Sequence, residues 1–139
     1  MFFFDRIGVP SIEEMIAKYG SSEEWQRAKT IEWMVKIAQV RKAGRKQLFE
    51  GQSRLSFLAD GAAAAGGLTY RPILIDCDDE TRSKRLTIHR GQPELANKEM
   101  MNWARYLRHS ARIEGCDILD TSSISLDESV LYVSTRLGG

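Results

Sequence analysis

The sequence is short of cysteine, proline and long apolar runs, and each shortage closes off a class of protein. Its two cysteines, Cys77 and Cys116, lie far apart with neither CxxC nor Cys/His spacing. A disulfide scaffold and a zinc site therefore lack support, and reduced thiols in a cytoplasmic setting are expected. Three prolines among 139 residues leave no low-complexity or collagen-like segment. The opening Met-Phe-Phe-Phe run meets Asp5 and Arg6 at once. It falls far short of a signal h-region or of the roughly 20 apolar residues of a membrane span. Charge of one sign is missing too: the net charge is +1, so the whole-molecule field recruits neither nucleic acid nor acidic partners. His89 and His109 each stand without a ligand-spaced partner, and no metal site is read from them.

What remains is ordinary globular material, 42% hydrophobic and 28% charged, at a length that suits one domain over residues 1–139. An apolar run from Phe2 to Val9, closed by Pro10, reads as a strand. Ser11 with Glu14 and Ser21 with Glu24 have capping-box spacing, so helices are expected over about residues 12–18 and from about residue 22 to Gly44. The second should face inward with Trp25, Ala28, Ile31, Val35 and Ala38. Lys46 to Glu50 reads as a strand, Leu55 to Ala65 as a helix, and Ile73 to Cys77 as an apolar strand covered on both faces. Asp78 can cap a helix reaching about Ile88, and Lys98 to Ile113 reads as an amphipathic helix with Arg105, Arg108 and Arg112 on its polar side. Ile118-Leu119 is the last strand; Ser125 and Glu128 cap a final helix whose Leu126, Val130, Val133 and Leu137 should face inward. Strands separated by helical crossovers imply an α/β fold: a parallel sheet of about four strands flanked by helices, with ligands beyond the strand ends.

Polar groups gather at those ends: Asp5-Arg6, Glu50 to Arg54, Asp76 to Glu80, and Asp120 to Ser123. Phe49-Glu50-Gly51-Gln52-Ser53-Arg54 resembles the strand-end segment of small P-loop kinases, the nucleoside and nucleotide kinases and their relatives. In that family an acid, a glycine and an arginine address the phosphoryl acceptor. Ile73 to Thr81, followed by Arg85-Leu86 and Arg90-Gly91, is similar to the strand, helix and basic lid of the same family. Residues 82–112 hold eight Arg or Lys against two Glu, a local excess of six positive charges. Ile118 to Ser122 is similar to the last strand and the loop bordering the adenine.

The resemblance implies phosphoryl transfer from Mg-ATP to a nucleotide, nucleoside or other small hydroxyl acceptor. It implies Arg85, Arg90 and Arg105 as catalytic lid residues, Asp5, Glu50, Gln52 and Arg54 on the substrate side, and Thr121 and Ser122 at the cofactor. The family's Gly-x-x-x-x-Gly-Lys-Ser/Thr loop does not occur in the sequence, and Gly44-Arg45-Lys46 cannot replace it. The expected form is therefore a kinase-like core without its first strand-loop-helix unit and with little kinase activity. The alternative is a non-catalytic anion-binding or self-assembly module derived from that fold. Losing a central strand would bare two strand edges, so a homo-oligomer is expected. A small phosphorylated ligand is the expected partner, with no membrane; nucleic-acid binding through residues 82–112 is the weaker class.

Overall fold

A computed structural model describes residues 2–3, 9–40 and 46–138 of the chain. It divides into two compact units, residues 1–70 and 71–137.

The first unit is built on helices. Helix α1 (Ile12–Tyr19) starts where the Ser11 hydroxyl accepts from the Glu14 amide and ends at Gly20, whose φ of 93° needs a residue without a Cβ. Helix α2 (Ser22–Val40) starts the same way, with the Glu24 amide donating to Ser21 Oγ. It packs against both α1 and α3 (Leu55–Ala64). Two neighbours explain why its buried residues are Trp25, Thr30, Trp33, Met34 and Ile37 rather than one narrow stripe. Ala28, Ile31, Val35 and Ala38, expected to face inward, are only half-buried. Met15, Trp25 and Trp33 form the core cluster, joined by Tyr19 and Phe49. Strands β1 (Phe2–Phe3) and β2 (Phe49–Glu50) pair in parallel, Phe2 opposite Phe49. The rest of the expected first strand, residues 4–8, and the expected helix end at 41–45 lie outside the described residues.

The second unit holds the other parallel pair, β3 (Ile73–Asp76) and β4 (Asp117–Asp120), with Ile73 opposite Asp117 and Asp76 opposite Asp120. The crossover between them runs through α4 (Asp79–Lys84), a π-helical turn (Arg85–His89), a 3-10 turn (Pro93–Leu95) and α5 (Lys98–Glu114), which packs on both strands. Asp78 caps α4 through the Thr81 amide, and Asn97 caps α5 through the Met100 amide. Helix α6 (Leu126–Gly138) follows β4. Its N-terminus has the reciprocal Ser125/Glu128 box, but Leu126 and Val130 face solvent instead of a core. Cys77, Leu86, Ala111 and Leu119 are the buried apolar residues here.

The sheet corrects the expected fold. The described strands make two separate two-stranded pairs, not one parallel sheet of four, and the molecule is mostly helical. Apolar runs recorded the tendency to form strands but not which strands would be neighbours. Ile75, in the strand expected to be covered on both faces, is 55% exposed. The resemblance to P-loop kinases therefore fails at the level of architecture, because the described residues do not form the broad parallel sheet that defines that core. No helix among the described residues is long and apolar enough to cross a membrane.

Candidate functional site

The densest polar chemistry lies at the carboxyl ends of β3 and β4, within the second unit. Asp76, the last residue of β3, accepts from two guanidinium groups: Arg82 Nη2 at 2.8 Å and Arg108 Nε. Both arginines also donate to the Cys77 carbonyl, at 2.6 Å and 3.3 Å. Asp79 is likewise shared, between Arg82 at 3.0 Å and Arg105 at 2.7 Å. Helical spacing together with the packing of α5 on β3 brings these groups together. Arg82 lies one α4 turn beyond Asp79, and Arg105 and Arg108 are one turn apart on α5, which is packed across the strands. The Asp76 side chain is 9% exposed and Arg82 13%, so this pair is shielded from water on most sides. Its hydrogen bond to Asp76 raises the Arg108 guanidinium above its ordinary value, so the group stays charged.

Arg85 is treated differently. Its Nη1 donates to Thr121 Oγ1 and its Nη2 to the Thr121 carbonyl, both at 2.7 Å, and no carboxylate pairs with it among the described residues. Thr121 is itself only 7% exposed, and its amide and hydroxyl both donate to the Asp76 carbonyl, at 2.8 Å and 3.0 Å. Ser122 closes the other side: the Asp78 amide donates to its hydroxyl, which in turn donates to Asp120 at 2.6 Å. Hydrogen bonds from the Thr81 side chain and amide hold the Asp78 carboxyl below its ordinary range, and those from Ser122 do the same for Asp120. Burial pushes the Cys77 thiol up, away from the thiolate a nucleophile needs.

The sequence-derived site residues separate into two groups. Arg85, Arg105, Thr121 and Ser122 meet at these strand ends. Arg90 closes the π-helical turn with its amide on the Arg85 carbonyl and has an exposed side chain. Glu50, Gln52 and Arg54 belong to the first unit. Glu50 and Gln52 are exposed, while Arg54 donates to Gln26 at 3.3 Å, lies 3.8 Å from Glu23 and covers the Phe57 ring. Asp5 lies outside the described residues. Sequence reasoning counted Arg82 and Arg108 among the lid-like arginines and Asp76 and Asp79 among the strand-end acids, but paired none of them. The signal was present in an aspartate ending an apolar strand and in arginines at helical spacing behind it, but pairing them required the packing of α5 on β3.

The chemistry of the cluster is arginine–aspartate pairing, and no phosphoryl-transfer machinery accompanies it among the described residues. Among the described residues no three His, Cys, Asp or Glu side chains are grouped to hold a metal ion. With no phosphate-binding loop in the sequence and no kinase-type sheet among the described residues, the expected transferase, nucleotide-binding and Mg-ATP roles are not supported. Nor is the kinase-derived module offered as their alternative. No protein-family model, curated protein or solved structure matches the chain.

Proposed function

We propose that the second unit is a binding module for a small phosphorylated anion, seated at the ends of β3 and β4 without chemical change to the ligand. The observation that carries this is Arg85, a guanidinium held in place by neutral acceptors alone. The strand ends carry four arginines (82, 85, 105 and 108) and four aspartates (76, 78, 79 and 120). Asp76 and Asp79 are taken up by Arg82, Arg105 and Arg108, while Asp78 and Asp120 are matched by hydroxyl and amide donors. Arg85 alone of the four arginines has no carboxylate partner among the described residues, and its planar fork suits the oxygens of a phosphate. Two free thiols fit a reducing, cytoplasmic setting for such a module.

Calorimetric titration with inorganic pyrophosphate tests the reading. Arg85→Gln should remove one charge-assisted contact of about 1.5–3 kcal/mol, a loss of roughly 10- to 100-fold in affinity. An unchanged affinity in that variant, or no heat from the unaltered chain, overturns it.

A second reading, self-association, is favoured by a different observation. β3 pairs on one side only among the described residues, and Ile75 in its middle is 55% exposed. An open apolar edge is a template for a second copy. Sedimentation should then show a concentration-dependent dimer that Ile75→Lys abolishes; a monomer at every concentration removes this reading.

A further inference from the structure

We infer that Thr121 is the positioning residue of the anion site: it aims the Arg85 guanidinium without neutralising it. The inference rests on the reading of Arg85 given above.

Both contacts that fix the Arg85 fork come from this one residue, the hydroxyl and the main-chain carbonyl each at 2.7 Å. A hydroxyl has a single proton, and here it goes to the Asp76 carbonyl at 3.0 Å, so a lone pair on Thr121 Oγ1 is turned toward Arg85 Nη1. The acceptor is therefore polarised by its own donation and cannot swing away. Thr121 is also immobile as a unit, 7% exposed and tied through its amide to the same Asp76 carbonyl at 2.8 Å. On the other side the Arg85 backbone is pinned by its neighbour Leu86, which is 6% exposed, and by the π-helical turn closing from the Arg90 amide onto the Arg85 carbonyl at 2.9 Å.

Two of the five guanidinium N–H donors go to Thr121, and no other acceptor takes the remaining three among the described residues. A carboxylate acceptor at this position would orient the group equally well but would consume its charge. A hydroxyl and a carbonyl orient it and leave the charge intact. Because Asp76 also carries Arg82 and Arg108, the residue that holds Thr121 in place is the one around which the paired arginines are arranged.

The test is a variant set titrated with inorganic pyrophosphate on the full chain. Thr121→Val keeps the shape and removes the acceptor, and should weaken binding about 10-fold, while Thr121→Ser should restore affinity to within about threefold of the unaltered chain. Should the valine variant fail to fold, Thr121→Cys carries the same comparison, since a thiol accepts only weakly. The double variant Arg85→Gln/Thr121→Val should bind no worse than Arg85→Gln alone, because a residue acting through Arg85 has nothing left to aim. Additive losses in that double variant, or full affinity in Thr121→Val beside a weakened Arg85→Gln, overturn the role of Thr121 while leaving the anion site standing. Full affinity in Arg85→Gln overturns both.

Discussion

Single residues show where the sequence spoke clearly and where it could not. Capping serines at 11, 21 and 125 were readable because a cap is a local contact, three residues long. Gly61 was not. It reads as one more small residue in an alanine-rich helix, yet a Cβ there would lie 2.7 Å from Met34 Cγ and 3.0 Å from Met34 Cβ. Met34 is 4% exposed, and the blocking atoms are the stem of its side chain rather than its mobile end, so α2 and α3 would have to separate. Gly61→Ala gains helix propensity and loses more to overpacking, a net cost of about 1–2 kcal/mol. Urea unfolding should show a lower midpoint with an unchanged slope. Thr30, fully buried with its hydroxyl donating to the Gln26 carbonyl and beside Ser53 Oγ, is another residue whose place only the packed helices reveal.

Elements were legible in kind and, for the helices, nearly in extent: all six expected helices are there, the second as far as the described residues follow it, and only the one expected to reach about Ile88 changes character, to a π-helical turn at Arg85. Strands were legible as apolar runs but not in their pairing, which depends on residues more than 40 positions away. The α4 cap carries a pH dependence whose sign follows from its hydrogen bonds. The folded Asp78 carboxyl is held below its ordinary value of 3.8, so it takes up a proton less readily folded than unfolded. Its contribution to stability is complete above that ordinary value and is lost as the pH falls through the lower, folded one. Asn is an equally good cap without a titrating proton, so Asp78→Asn should keep its stability near neutrality. Urea midpoints followed from about pH 7 to about pH 2.5 should fall less steeply in this variant than in the unaltered chain. Equal slopes would remove Asp78 as a source of the acid response.

At the scale of the whole molecule the near-neutral net charge hides a local concentration of charge, with arginines and aspartates interleaved at one set of strand ends. An anion held there feels a local field, not the net charge of the chain. Raising sodium chloride from about 0.05 M to about 0.5 M shortens the screening length from about 14 Å to about 4 Å and should weaken pyrophosphate several-fold. A flat response would mean that the contact is not ionic. Both parallel pairs also carry a kinetic consequence. Each is closed by a long detour, residue 2 meeting residue 49 and residue 73 meeting residue 117, whereas α1 and α2 are joined by a short turn and α2 meets Ser53 and α3 over 23 to 33 positions. Chain entropy taxes long closures before any contact rewards them, so the helices should assemble early and the strands should lock last, making strand pairing the slow step of refolding.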